Sequence, residues 1–458
     1  MSGGQKLTLA FHGAAGTVTG SRLVLSDGKR RCLIDCGLFQ GYKPLRLRNW
    51  AHPGFDARAL DAIVLTHAHL DHSGYLPVVC RDGYNGPIHC TAATRDLCRH
   101  LLADSGFIQE KDAARANRYG YTRHHPARPL YTQAEAVDCL TQFQTHPFHV
   151  PIKLYEHCSA TFLRAGHIPG AASIALAWHN RRIVFSGDLG QSGSPTMMPP
   201  EPPPAADYLI VESTYGNRNR TGVEAEARMA EVIRETVARG GTVIIPAFAV
   251  GRTQLLLHHL SQLQGDGRIP RVPIFLDSPL AINATEVFVN HPDDHRLSKA
   301  EAEAACALPR YVRDADESRQ LDHDPMPKII IAGSGMATGG RVLHHLKVYL
   351  GDPRHTILFT GYQSGGTRGD KLVQGAPSVR IHGQDWPVRA AIENLDMLSA
   401  HADSDELMAW LRACPQPPRQ VFIVHGEAES AEFLAYRISM ELGWHAVVPK
   451  PDESFTLN

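Results

Sequence analysis

The segment His67-Ala68-His69-Leu70-Asp71-His72 places three imidazoles and a carboxylate within a few residues, directly behind the apolar run AIVLT. Histidines two apart in an extended turn can point both rings at one ion, and the Asp and His that follow can turn toward a second ion nearby. Imidazole with carboxylate is the ligand set zinc favours, and mixed His/Asp sites also hold iron or manganese. An isolated His-x-His is commonly an exposed loop in a chain with 26 histidines. With an acid and another histidine added behind a strand, a metal site is the stronger reading. Asp188 could bridge two cations and neutralise part of their charge, with His167 and His425 completing the two shells.

The elements around these residues repeat one pattern, an apolar run with a metal-capable or acidic residue at its C-terminal end. RRCLID ends at Asp35, RRIVFSGD at Asp188, DYLIVE at Glu212 and QVFIVH at His425, while ATFLRAGH delivers His167 into a Gly-Pro turn. A lone Asp or His after a strand is usually a cap or turn residue. Recurrence along one chain argues for a shared site, built where α/β sheets build theirs, at strand C-termini. The middle of the chain differs. GTVIIPAFAVGRTQLLLHHL, PKIIIAGSGMATGGRVLHHLKVYL and HTILFTGYQSGGTRGDKL read strand, small-residue loop, helix or turn, the pattern of a parallel sheet. Ligand-type strand ends resume with His401 and His425. The order predicts an α/β fold in which an insertion over 212–390 interrupts one metal-binding domain made of 1–211 and 391–458. Pro199, Pro200, Pro202, Pro203 and Pro204 read as a stiff surface linker. The doublets His258-His259 and His344-His345 fall in helix-like segments without acidic partners and read as surface or packing residues.

Composition sets bounds. At 458 residues the chain is too long for one core, and 43% hydrophobic with 20% charged residues describes an ordinary globular protein. No apolar run approaches a membrane span, and the N-terminus lacks a signal peptide's regions. Nine scattered cysteines without a CxxC pair argue against a disulfide framework and suggest a reducing cytosol. A net charge of −1 means that any positive field for nucleic acid must be local to a cleft.

HAHLDH resembles the signature of the metallo-β-lactamase superfamily, and Asp35, His67 through His72, His167 and Asp188 match its motifs in order. Glu212-Ser213-Thr214-Tyr215-Gly216-Asn217-Arg218, His401 in LSAHAD and His425 in IVHGE resemble motifs A, B and C of its β-CASP branch. PAFAVGR, DSPLA, GSGMATGGR and GYQSGGTRG extend the likeness over nearly the whole chain, closest to prokaryotic relatives of the pre-mRNA 3′-end processing endonuclease. The resemblance implies an αββα sandwich with an inserted β-CASP domain, a parallel sheet flanked by helices. It also implies two zinc ions, held by His67, His69, Asp71, His72, His167, Asp188 and His425. Asp71, Asp188, Glu212 and His401 would be catalytic, and Asp35 would orient a ligand histidine from behind.

The implied activity is hydrolysis of single-stranded RNA, endonucleolytic or 5′→3′ exonucleolytic, leaving 5′-phosphate and 3′-hydroxyl ends. Two cations would activate a bridging hydroxide, and His401, paired with Glu212, would protonate the leaving ribose oxygen. DNA-acting members typically carry an apolar residue at motif C, so His425 favours RNA. Ser334, Gly335 and Met336 could cradle a phosphate with backbone N–H groups, and Arg252, Arg341, Thr367 and Arg368 could contact the RNA backbone. Asp370 departs from the family pattern, since relatives commonly carry a basic residue there. The basic, aromatic stretch Lys111 to Tyr131 decorates a helix or touches RNA, and the loop Gly13 to Ser21 reads as a turn between strands. The alternatives are a small-molecule metallohydrolase such as a thioesterase, a DNA-acting β-CASP nuclease, and a non-catalytic scaffold. A homodimer is compatible with the resemblance, and no membrane partner is expected.

Overall fold

The computed structural model describes residues 6–458 apart from 121, 123, 220–224, 362, 364 and 396–397. Tyr121 and Arg123 of the basic stretch, and Tyr362 and Ser364 of GYQSGGTRG, therefore lie outside the described residues. The chain forms two compact units. The first comprises 1–194, 198–219 and 401–458, and the second 195–197 and 220–400. These units meet in sequence at 219/220 and 400/401, where the sequence reading placed boundaries at 212 and 390.

The first unit is an αββα sandwich built from two seven-stranded sheets. One runs Ser454–Leu457, Leu7–Phe11, Leu23–Ser26, Arg31–Ile34, Ala62–Val64, Ile88–Cys90, Phe143–Thr145. The other runs Ala446–Val447, Gln420–Val424, Tyr208–Glu212, Arg181–Phe185, Ala172–Trp178, Cys158–Arg164, Ile152–Tyr155. Each sheet is antiparallel on one side and parallel on the other. Arg31–Ile34 pairs parallel with Ala62–Val64, and Tyr208–Glu212 lies parallel between Arg181–Phe185 and Gln420–Val424. The parallel halves send their C-terminal ends the same way, which is why the ligand-bearing loops can meet. Residues from both sheets form one core, among them Phe11, Ile34, Val64, Phe162, Ile174, Phe185, Ile210 and Phe422. A capping box at Thr132 and Glu135 starts the helix Gln133–Cys139, and one at Asp403 and Glu406 starts Ser404–Arg412 three residues after His401. The proline-rich stretch packs on this unit instead of bridging outward: Glu201 N–H donates to Arg164 O, and Trp410 Nε1 donates to Glu201 O.

The second unit is a six-stranded, wholly parallel sheet in the order Arg310–Tyr311, Ile274–Asp277, Ile329–Ala332, Val243–Pro246, Thr356–Phe359, Ala391–Asn394. Its inner strands are Ile- and Val-rich and buried on both faces, as a sheet covered by helices on either side requires. Helices such as Arg252–Gly265 and Val342–Tyr349 supply that cover. No helix among the described residues is long and apolar enough to cross a membrane.

Candidate metal centre

The strand Ala62–Val64 ends just before Thr66, and the chain then passes His67 and His69 in extended form before the short helix Leu70–Ser73 presents Asp71 and His72. His167 follows the strand Cys158–Arg164, Asp188 follows Arg181–Phe185, Glu212 closes Tyr208–Glu212, and His425 follows Gln420–Val424. These side chains converge. His67, His69, His167 and Asp188 offer ligand atoms within 4.8 Å of one another, as do Asp71, His72 and His425, and likewise Asp188, Glu212 and His425.

Both clusters are dense with lone pairs. His69 Nδ1 lies 3.1 Å from His67 Nε2 and 3.1 Å from His167 Nε2. His72 Nε2 lies 3.0 Å from His425 Nε2, which is 3.3 Å from Asp71 Oδ2. Asp188 reaches both groups, with Oδ1 3.2 Å from His72 Nε2 and Oδ2 3.5 Å from His67 Nε2 and 3.7 Å from His167 Nε2. Burial drives the His67 and His167 imidazoles well below their ordinary range and His69 down to about 4, so these rings are neutral and present lone pairs. Burial alone would raise the Asp188 carboxyl, but the neighbouring His425 and His72 outweigh it and hold the group well below the ordinary carboxylate range. Asp188 Oδ1 is buried, with only imidazole nitrogens near it: His72 Nε2 at 3.2 Å and His425 Nδ1 at 3.4 Å. Close-set imidazole nitrogens around a buried carboxylate are the donor set a pair of divalent cations requires, so the residues fit such ions.

Asp35 sits behind this cluster. Its carboxylate accepts from Thr66 N–H at 2.7 Å and Thr66 Oγ1 at 2.8 Å, and it meets His72 Nδ1 at 2.7 Å. That contact fixes the His72 ring and leaves Nε2 facing Asp188. Asp35 itself has φ 58°, and His425 has φ 50°, both unusual for residues with side chains. The loop Gly13 to Ser21, read from sequence as a plain turn, is part of the support: Ala14 O accepts His425 N–H at 2.7 Å, and Ser21 N–H donates to Asp71 O at 2.8 Å. A Cβ at Gly37 would stand 1.6 Å from Asp71 O, so only glycine lets the chain pass there.

Glu212 and His401 form a separate pair beside the cluster. Glu212 is fully buried and accepts from Leu189 N–H at 2.6 Å and Thr214 N–H at 3.3 Å. Both its oxygens lie 3.2 Å from His401 Nδ1. Burial opposes the charged imidazole, yet the Glu212 carboxylate outweighs it and raises His401 above its ordinary range. The backbone of the His401 turn is fixed by Ala402 N–H on Leu189 O at 2.7 Å.

The proposed RNA-contacting residues lie in the second unit. Gly335 is buried, and the amides of Gly335 and Met336 have no acceptor among the described residues. The arginines face inward. Arg341 donates to Asp277, to Val312 O and to Arg313 O, and Arg368 donates to Arg380 O and Ala337 O. Arg252 is buried, and a Cβ at Gly361 would stand 2.2 Å from its Nη1. Thr367 caps the helix Arg368–Val373 by accepting Asp370 N–H, and the Asp370 carboxylate accepts Gly366 N–H at 3.1 Å. The unexpected acid is thus a first-turn helix residue that binds a loop amide. Two histidine doublets differ from expectation. His259 Nδ1 lies 2.7 Å from Glu226, and buried His345 lies between Asp277 at 2.8 Å and Asp322 at 2.7 Å. These acids are remote in sequence, so helix-local inspection could not find them.

A beta-lactamase superfamily domain model matches residues 30–239, a Beta-Casp domain model matches 253–372, and a Zn-dependent metallo-hydrolase RNA specificity domain model matches 385–449. The fold and this centre define a metallohydrolase of the metallo-β-lactamase class. The chain belongs to its β-CASP family. It is 37% identical to "Ribonuclease TTHA0252" of Thermus thermophilus over 91% of this chain and 92% of that one. It is 31% identical to an "RNase J-like protein" of Methanocaldococcus jannaschii over 96% and 97%, and 31% identical to "Transcription termination factor FttA" of Methanosarcina mazei over 92% and 67%. A crystal structure of a protein of unknown function from Enterococcus faecalis aligns over 99% of this chain and 100% of that one with a TM-score of 0.56 and 13% identity, a likeness of fold alone.

Proposed function

We propose that the protein is a zinc-dependent ribonuclease that hydrolyses phosphodiester bonds in single-stranded RNA. The observation that carries this is the convergence of two ligand clusters through Asp188 beside an independently held Glu212–His401 pair. The match to an RNA specificity domain model and the ribonuclease names of the relatives support RNA as the substrate. Two zinc ions, the number proposed for His67, His69, His167 and Asp188 with Asp71, His72 and His425, supply Lewis-acid stabilisation of phosphate charge and a lowered pKa for bound water.

The chain's own residues do the rest. Asp35 holds the His72 ring through Nδ1, so the ring cannot rotate away from Asp188. Hydrolysis joins the oxygen of a water that has given up a proton to solvent to the phosphorus and breaks the bond to the ribose 3′-oxygen, which departs with developing negative charge. Glu212 fixes His401 through Nδ1 and favours its protonated form, so Nε2 can deliver a proton to that oxygen. The products carry 5′-phosphate and 3′-hydroxyl ends. In the second unit, the amides of Gly335 and Met336 receive a backbone phosphate, while Arg252, Arg341, Thr367 and Arg368 hold the loops that present them.

Cleavage of 5′-monophosphorylated single-stranded RNA beside matched single-stranded DNA tests the reading. Zinc-dependent cutting of the RNA alone is expected, and single-nucleotide ladders or internal fragments distinguish the mode. Inert RNA beside zinc-loaded protein that hydrolyses a thioester would overturn it in favour of a small-molecule hydrolase.

A further inference from the structure

In the second unit the strands Val243–Pro246, Ile329–Ala332 and Thr356–Phe359 are mutually parallel. Their outgoing loops therefore gather along one edge, where open parallel sheets bind ligands. Two of these are the glycine loops described above. The third, 247–251, carries Phe248, which differs from its neighbours: Ala247 and Val250 are buried, whereas Phe248 is 39% exposed. A single exposed phenylalanine is unremarkable by itself. Two features set this one apart.

The first is that it is held. Phe248 O accepts from Thr253 N–H at 3.2 Å and from Thr253 Oγ1 at 2.8 Å, which pins the residue at the start of the helix Arg252–Gly265. The second is what lies against it. A Cβ at Gly335 would stand 2.6 Å from Cδ2 and 2.7 Å from Cε2 of the Phe248 ring, so the ring rests on that glycine and admits no side chain there. Gly335 is also the residue whose buried amide has no acceptor among the described residues. An exposed aromatic face and a bare N–H donor thus meet at one residue.

We propose that Phe248 is a nucleobase-stacking platform. A base of single-stranded RNA lies on its ring while a neighbouring phosphate takes the amides of Gly335 and Met336. The assignment rests on the ribonuclease reading above. Every base has a π-face, so the platform grips RNA without reading its sequence. A ring already fixed by its own carbonyl and by Gly335 loses little freedom on binding.

The test is steady-state cleavage of 5′-monophosphorylated single-stranded RNA by the zinc-loaded wild type, Phe248→Ala, Phe248→Leu and Phe248→Trp, with zinc content measured for each. The alanine and leucine variants should raise KM about tenfold, the effect of one lost stack, with zinc content intact. The tryptophan variant should restore it, because leucine matches the bulk but lacks the π-face. Substrates with one abasic ribose at successive positions add an independent readout. One position should weaken binding by the wild type and have no further effect in Phe248→Ala. A wild-type KM for Phe248→Leu, or no abasic position whose effect vanishes in Phe248→Ala, would overturn the platform while leaving the ribonuclease reading intact. If wild-type protein cut no RNA at all, that reading would fail first and the platform with it.

Discussion

Asp188 and Asp277 are both buried carboxylates at the end of an apolar strand, and both face histidines. Around Asp277 every polar atom is answered. Arg341 and Ser318 donate to it, His345 Nε2 meets it at 2.8 Å, and His345 Nδ1 meets Asp322 at 2.7 Å. Around Asp188 imidazole nitrogens face one another at close range, and both carboxylate oxygens look onto ring nitrogens of the two clusters. The same residue types thus do opposite things. At Asp277 the network ties a strand to two helices, whereas at Asp188 the close-set nitrogens and carboxylate make the donor set proposed above for metal.

Asp188→Ala breaks the contrast most severely. Removing a carboxylate that reaches both ligand groups should lose bound zinc and reduce RNA cleavage to background, read by elemental analysis alongside turnover. His401→Ala should keep the zinc and lower turnover on the order of 10²- to 10⁴-fold, since it removes only the proposed proton donor. A His401 variant cutting at the wild-type rate would end that assignment. Asp277→Ala should do the converse. It leaves His345 and Arg341 buried without their counter-charge, so the second unit should lose about 3–5 kcal/mol in chemical unfolding, with zinc content unchanged. Asp35→Asn is milder, about 10- to 100-fold in zinc affinity, because it loosens a ligand without removing one.

The pH response sharpens the comparison further. Burial would lower His345, but its hydrogen bonds to Asp277 and Asp322 outweigh that and raise it from 6.5 to about 9. A raised folded-state value means that the stabilisation is complete below about 6.5 and is lost as pH climbs through about 9. The second unit should therefore unfold more easily at pH 9 than at pH 6.5. His345→Gln should flatten that slope without changing the zinc content.

The candidate metal centre was legible because its residues are local in sequence. His67 through His72 announce themselves as a cluster, and Asp188, Glu212 and His425 each end a recognisable strand. The parallel sheet of the second unit could likewise be read from repeated strand–loop–helix segments. What escaped depends on distance along the chain. His345 meets acids 23 and 68 residues away, and the Arg341 guanidinium is directed inward by Asp277, 64 residues earlier. The support that Ala14 gives His425 spans the whole first unit, so a short glycine-rich loop looked like a plain turn. Phe248 could be read from sequence only as another apolar residue behind a strand, because its exposure is set by loops that come later in the chain.

The most direct test is to strip the protein of metal, restore zinc in measured increments and follow cleavage of single-stranded RNA. The account predicts no cutting by the stripped protein and a rate that rises with zinc content to a plateau at two ions per chain. RNA cleavage that persists in the stripped protein, or a fully loaded protein that leaves RNA intact, would contradict it.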